Sequence, residues 1–249
     1  MDIPHDLTVL LRGAEHIAAL TGAGISAESG LRTFRDTQTG LWAQYRPEDL
    51  ATPKAFARNP KLVWDWYAWR REAVSEARPN AGHYALTEIG RRVPRFTLIT
   101  QNVDGLHQRA GNRDLIELHG NITRVRCSAS CGAVTSWEER PDEAPRCVRC
   151  GAFLRPDVVW FGEALPRAAL DAALEAARTC RVFLSIGTSG MVQLAASLAY
   201  AAKNRGAALV EINLEPTPLT PKVDFFLQGK SGDVSPALVR ATWGAGRDG

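Results

Sequence analysis

Four of the five cysteines in this 249-residue chain form two pairs, Cys127-x3-Cys131 and Cys147-x2-Cys150, fifteen residues apart. That is the spacing of a four-thiolate zinc site, and the neighbouring turn residues Ser128, Ser130, Gly132 and Gly151 suit zinc knuckles. Disulfide pairing is the rival, disfavoured by the reducing compartment inferred below. Four thiolates leave no coordination position for water, so the metal is expected to be structural, not catalytic. A zinc ribbon for nucleic acid is a second rival, to which Arg124, Arg126, Arg146 and Arg149 lend some weight. It lacks stacking aromatics and a basic stripe elsewhere. Cys180 precedes an apolar run and reads as a core residue.

Other residues have types that do chemistry without metal. His119 ends the apolar run Leu115-Ile116-Glu117-Leu118 and is followed by Gly120. A strand end facing a cleft suits a general base, because imidazole titrates near operating pH. Spacing alone leaves a structural histidine equally open, and His107 and His83 read as structural. Gln101-Asn102-Val103-Asp104 places two amides and a carboxylate just after a strand, either as a polar site or as the cap of a helix starting near Gly105. Gly22 and Gly24, with Ala27 in the third place, follow the run His16–Leu20 in a strand–turn–helix pattern that can present N–H groups to a pyrophosphate. The polar stretch that follows, with Arg32, Phe34, Arg35 and Trp42, replaces the second strand of a dehydrogenase and could fold over a dinucleotide.

The elements that must position these groups can be read coarsely. Phe96–Ile99, Val182–Ile186 and Ala208–Ile212 are apolar runs that stop where polar residues or glycine begin, and Ala168–Arg178 and Leu194–Asn204 carry helical patterns between them. Alternating strands and helices predict an α/β fold, a Rossmann-like parallel sheet with helices on both faces. Ligands then bind beyond the carboxyl ends of the strands, where Ser26, Gln101, Gly187 and Asn213 fall. The expected limits are a Rossmann-like domain over 1–40, 80–121 and 158–249, a helical insertion over 41–79 and a zinc-binding module over 122–157. A net charge of +3 is too small to argue for nucleic acid. No signal peptide and no membrane-length apolar run is evident, so a cytoplasmic location is expected.

Taken in order, the blocks Gly22-Ala23-Gly24-Ile25-Ser26-Ala27-Glu28-Ser29-Gly30, Thr33-Phe34-Arg35, Thr100–His107, Glu117-Leu118-His119-Gly120, the four cysteines, Pro156–Glu163, Gly187-Thr188-Ser189 and Ile212–Thr220 resemble the sirtuins, NAD-dependent protein-lysine deacylases. The resemblance covers about residues 8 to 240. It implies NAD consumed as a co-substrate, one structural zinc, and acyl-lysine segments of other proteins as partners. Neither a membrane nor a specific nucleic acid is expected as partner, and a monomer is compatible with it.

Residue by residue, the resemblance makes His119 the base and places Asn102 and Asp104 around the departing nicotinamide. Gln101, Gly187, Thr188, Ser189, Asn213, Leu214 and Glu215 would hold ribose and phosphate, with Gly22, Ala23, Gly24, Glu28, Phe34, Arg35, Trp42 and Ser231 also at the cofactor. A substrate strand would pair alongside Val158, Val159, Phe161 and Gly162. Tyr67 and Arg70, in Trp66-Tyr67-Ala68-Trp69-Arg70, stand at i and i+3 of a helix. By spacing alone they are a surface tyrosine beside a solvated arginine. The same Tyr-x-x-Arg downstream of Ala51 resembles the sirtuin class that removes acidic acyl groups, where phenol and guanidinium would grip a succinyl or malonyl carboxylate. A mono-ADP-ribosyltransferase and a non-catalytic NAD-responsive module are the alternatives.

Overall fold

The computed structural model describes residues 2–31, 45–132, 134–136, 144–191 and 193–244. Its strands are β1 (His16–Thr21), β2 (Arg95–Thr100), β3 (Leu115–Glu117), β4 (Gly120–Cys127), β5 (Val134–Ser136), β6 (Leu154–Val158), β7 (Val182–Ile186), β8 (Ala208–Asn213) and β9 (Phe225–Gln228). The helices are α1 (His5–Arg12), α2 (Pro47–Leu50), α3 (Pro53–Arg58), α4 (Pro60–Glu76), α5 (Ala81–Arg92), α6 (Leu106–Arg109), α7 (Arg167–Thr179), α8 (Gln193–Lys203) and α9 (Ser231–Trp243).

Six strands make one parallel sheet in the order β3-β2-β1-β7-β8-β9. The chain starts at the centre, builds to one edge, then returns beside β1 and builds to the other. The strand order therefore reverses between β1 and β7, which is where such sheets open a crevice for a ligand. β1 is buried along its whole length, and its alternate side chains serve two cores. Ile17 and Ala19 join Leu7, Leu86 and Leu238 from α1, α5 and α9; Ala18 and Leu20 join Ala173, Leu198 and Ala199 from α7 and α8. Side chains of opposite parity buried on both faces are what a helix-covered parallel sheet requires.

Two smaller parts complete the molecule. β5, β4 and β6 form an antiparallel sheet that leads to the cysteines. α3 and α4 begin with Pro53 and Pro60, capped by Thr52 and Asn59 side chains, and pack with β4 and β6 through a cluster that includes Phe56, Trp66, Tyr67, Ile122, Val158 and Trp160. In one place the fold departs from the expected strand–turn–helix. After β1 the chain makes two short 3-10 turns, Ala23–Ile25 and Ala27–Ser29, instead of an α-helix. Gly22 and Gly24 donate their N–H groups to Ile186 and Gly187 at the end of β7, which draws the chain sideways across the sheet edge. Asn80, at the head of α5, then ties down Ile25 O and Ser29 Oγ.

Candidate active site

His119 follows the edge strand β3 and precedes Gly120, whose φ of +78° turns the chain into β4. A Cβ on Gly120 would lie 2.1 Å from Asp157 O, so the dipeptide His-Gly is fixed by packing as much as by chemistry. The imidazole Nδ1 lies 2.9 Å from Gln101 O. A carbonyl only accepts, so Nδ1 carries the proton and Nε2 is left as the basic nitrogen. Burial lowers the pKa of His119 below the ordinary 6.5, opposed by the Gln101 carbonyl, which favours the charged ring. The neutral, proton-accepting form is thus the resting one at neutral pH.

Next to it, β2 delivers Asn102 and Asp104 against the turn after β1. Asn102 Nδ2 donates to Gly22 O at 3.0 Å and to Ser26 Oγ at 3.1 Å, and Ser26 Oγ donates to Asp104 Oδ2 at 2.8 Å. Asp104 Oδ1 caps Leu106 N at 2.9 Å, so the capping role weighed from sequence and membership of a polar site are both present. Burial pushes the Asp104 carboxyl above the usual carboxylate range, against these hydrogen bonds. Two histidines stand behind the group. His83 Nδ1 accepts from Asn80 N, which directs its Nε2–H to Ser26 Oγ at 3.5 Å. His107 Nε2 lies 2.9 Å from Thr21 Oγ1, which itself donates to Thr100 Oγ1, and Thr100 Oγ1 accepts Asn102 N. Because Thr21 has given its only proton away, His107 Nε2 must be the donor. Both rings are therefore neutral Nε2–H tautomers, 4.8 Å apart.

The residues predicted at the cofactor gather at the carboxyl end of the sheet with different degrees of freedom. Gly22 and Gly24 are wanted for packing: Cβ atoms there would meet Gly187 O at 2.8 Å and 2.7 Å. Their own N–H groups are engaged by Ile186 O and Gly187 O at the end of β7. Gly187 (φ +59°) passes against Gly24 and Ile25, and Thr188 Oγ1 accepts from Gln101 Nε2 at 3.2 Å. Ser189 Oγ accepts from Met191 N. Asn213 Nδ2 donates to Thr188 O and its Oδ1 accepts Leu214 N, while Leu214 and Glu215 are exposed. The Glu28 carboxylate accepts from Gly232 N at 2.9 Å and Ser231 Oγ at 3.4 Å, where an anion complements the start of α9. Glu28 and Ser231 thus join the first turn to the last helix. Phe34, Arg35 and Trp42 lie outside the described residues.

On the other side of His119, Val159 N donates to His119 O at 2.9 Å and Phe161 N to Ala51 O at 2.9 Å. Trp160 N donates to Glu163 Oε2 at 2.8 Å. These three N–H groups are therefore not available to an incoming strand, and Val158 O and Trp160 O already accept from Arg155 Nη2 and Glu163 N, which narrows the edge expected at Val158–Gly162 to the Val159, Phe161 and Gly162 backbone groups not so engaged. Tyr67 is 3% exposed and accepts from Trp160 Nε1 at 3.0 Å, so it is no surface tyrosine. Burial pushes its phenol up to about 12. The Arg70 guanidinium sits 4.9 Å from the centre of the Trp66 ring, and burial lowers its pKa, opposed by Tyr67. Ala51 is buried in the same cluster as Tyr67, Trp66 and Trp160.

The four cysteine sulfurs lie within 4.8 Å of one another, with Cys127–Cys150 and Cys131–Cys147 each at 3.4 Å. A tetrahedral Zn–S site with bonds of about 2.3 Å has sulfurs about 3.8 Å apart, so the cluster fits zinc. The left-handed turn at Ser130 (φ 55°) and the Cys147–Gly151 turn shape the two knuckles. Of the arginines weighed for nucleic acid, Arg124 pairs with Glu117 and Asp157, Arg126 with Glu163, and Arg146 stacks on Phe153.

Residues 22–194 match the Sir2 family. The chain belongs to that family. A Sir2 homologue solved as an NAD complex superposes with a TM-score of 0.91 at 48% identity, covering 97% of this chain and 94% of that one. Another, a mutant in complex with 2'-O-acetyl ADP ribose, gives a TM-score of 0.90 at 49% identity, with 96% of each chain covered. The NAD-dependent protein deacylase 2 of Pyrobaculum aerophilum is 54% identical over 92% of both chains. The NAD-dependent protein deacylase of Aquifex aeolicus is 53% identical over 87% of this chain and 90% of its own.

Within this Sir2 chain, sequence reasoning missed three groups. His83 and His107 were set aside as structural, yet both abut the Asn102–Ser26–Asp104 cluster. Arg155 was not weighed at all, and Trp160 and Glu163 were read only as part of the Pro156–Glu163 block, with no side-chain role. A buried arginine near a glutamate eight residues on carries no periodicity, and only the fold brings them together. Glu211, buried in β8, accepts from Thr217 and Thr220 and so folds back the loop that carries Leu214 and Glu215.

Proposed function

We propose that this chain removes acyl groups from protein lysines at the expense of NAD, taking succinyl and malonyl as well as acetyl. It is an NAD-dependent protein deacylase, as its curated relatives are named. NAD supplies the acceptor for the acyl group and leaves as nicotinamide and O-acyl-ADP-ribose, in keeping with the Sir2 homologue bound to 2'-O-acetyl ADP ribose. In this reading His119 Nε2 takes a proton from a ribose hydroxyl, while its Nδ1 stays on the Gln101 carbonyl and fixes the ring. That anchored tautomer is the observation that carries the proposal. Asn102 and Asp104 line the nicotinamide end, and Gln101, Thr188, Asn213 and the turn at Gly22–Gly24 line the rest of the cofactor cleft. The substrate segment lies along Val158–Gly162. The division into a large domain over 1–40, 80–121 and 158–249, an insertion over 41–79 and a zinc-binding module over 122–157 belongs to the same proposal.

Tyr67 and Arg70 set the acyl class. A buried phenol and a half-buried guanidinium offer a charge-assisted donor pair for a carboxylate and nothing specific for a methyl group. The test is to incubate the zinc-loaded protein with NAD and matched acetyl-, malonyl- and succinyl-lysine peptides, identifying products by mass. Arg70→Met should lower the succinyl-to-acetyl ratio of kcat/KM by about 10- to 150-fold, the worth of a charge-assisted hydrogen bond. Equal loss on both substrates would make the pair structural and the enzyme a plain deacetylase. ADP-ribosylated protein without deacylated peptide would favour transferase chemistry instead.

A further inference from the structure

Tyr67 does not choose its hydrogen-bonding direction freely. Trp160 Nε1 lies 3.0 Å from its oxygen, and an indole N–H can only donate. The Tyr67 oxygen is therefore the acceptor, and its single proton must point away from Trp160. Burial holds the phenol protonated across the working range, so this arrangement persists. Trp160 is in turn clamped. The Arg155 guanidinium stacks 3.3 Å from the centre of its ring, and Arg155 makes two hydrogen bonds to Glu163, at 2.6 Å and 2.9 Å. Glu163 also accepts the Trp160 backbone N–H. Phe56 packs at 5.2 Å against the same indole. An indole held by Arg155 over its ring, by Phe56 beside it and by Glu163 at its backbone has one orientation to offer.

We infer that Trp160 is a positioning residue for acyl selection: its indole N–H fixes Tyr67 as a hydrogen-bond donor, and so tunes the site for acyl chains ending in a carboxylate. This rests on the reading that Tyr67 and Arg70 meet that carboxylate. A phenol free to rotate could accept from, or donate to, a neutral acyl chain; a phenol whose lone pair is taken by Trp160 presents its proton to an anion. Trp160 also follows Val159, whose N–H is bonded to His119 O, so acyl selection and the base are joined through one short segment.

The experiment measures kcat/KM on succinyl- and acetyl-lysine peptides for Trp160→Phe, Tyr67→Phe, the double variant and Arg70→Met. Trp160→Phe should lower the succinyl-to-acetyl ratio by about 2- to 10-fold, the worth of one neutral hydrogen bond, with the loss in KM for the succinyl peptide. In the Tyr67→Phe background the same substitution should change the ratio no further, because the group it acts through is gone. A ratio unchanged by Trp160→Phe, or one that falls equally with Tyr67 absent, overturns the inference. If Arg70→Met leaves the ratio untouched, the underlying carboxylate reading fails first. Should Trp160→Phe fold poorly, benzothienylalanine at 160 keeps the bicyclic shape and loses only the N–H, with the same expected and overturning results.

Discussion

Acid should destabilise this protein through two histidines that no reaction step uses. His83 and His107 are 0% and 1% exposed, and burial lowers them from 6.5 to about 4 and about 3, His107 with a smaller contribution from His83. The geometry gives the same answer. A second proton would go on Nδ1, which in His83 faces the Asn80 N–H and in His107 has no hydrogen-bond partner among the described residues. With the folded values depressed, the unfolded chain binds more protons below about pH 6.5, so their contribution is full above that value and is lost as pH falls toward 4 and 3. Between about pH 7 and pH 5 each histidine should cost about 2 kcal/mol, or about 4 kcal/mol for the pair. That is a large part of a typical total stability of roughly 5–15 kcal/mol. Zinc release at low pH adds to any raw measurement, so the decisive quantity is a difference. Urea unfolding with excess zinc, in parent and His107→Gln, should give a pH 7-to-5 loss smaller by about 2 kcal/mol in the variant. Parallel losses in the two proteins would refute the reasoning and place His107's contribution elsewhere.

His119→Ala should reduce deacylation by about 10²–10⁴-fold and leave NAD binding by calorimetry nearly intact; near-parental turnover would identify another base. For the parent, the acidic limb of the kcat/KM profile should lie below pH 6.5, because His119 is lowered from that value and must be neutral to act. Cys147→Ser should abolish the one zinc per chain and cost soluble yield and activity together, since metal binding here contributes folding energy; a fully active metal-free protein would contradict it. Gly24→Ala puts a Cβ 2.7 Å from the Gly187 backbone oxygen, which cannot swing aside, so melting temperature and NAD affinity should fall together. Ala at Gly30, where a Cβ meets nothing within 4 Å, serves as a control limited to the strain of its φ of +82°.

The parallel sheet was legible because its strands announce themselves. β7 is five consecutive buried residues, Val182–Ile186, with the limits that the apolar run predicts, and β1, β2 and β8 differ from expectation by one residue at an end or at each end. A strand buried on both faces needs no alternation, so continuous apolarity is its signature. α7 and α8 were placed within a residue for a similar reason, since alanine-rich stripes pack closely on the sheet. The turn after β1 was misread because its fate is not local. Two glycines before a run of small residues look like the start of a helix, and only the neighbouring ends of β7 and β8 decide otherwise. Gly24 donates to Gly187 O while Gly187 donates to Ile212 O, so a ladder runs sideways across three chain ends.

The same locality limit governs the site. His119, the cysteines and the Asn102–Asp104 pair could be singled out because each carries its chemistry within a few residues. The partners that set the behaviour of the buried groups mostly come from far away in sequence: Ser26 on Asp104, Thr21 on His107, Trp160 on Tyr67; Asn80, three residues before His83, is the local exception. Each of these is a small or neutral hydrogen-bonding group whose identity carries no signal alone. Their effect is nevertheless directional: Asn80, Thr21 and Trp160 each fix where the proton of their partner lies, and Ser26 supplies the Asp104 carboxylate with a donor. Ser26, which can give one proton and accept two, is filled on all three counts by Asp104, Asn102 and His83. Removing its hydroxyl would therefore leave a buried carboxylate, an amide and an imidazole each short of a partner. Such a cluster is expected to fail as a unit, with pairwise coupling between Ser26→Ala and Asp104→Asn well beyond additivity.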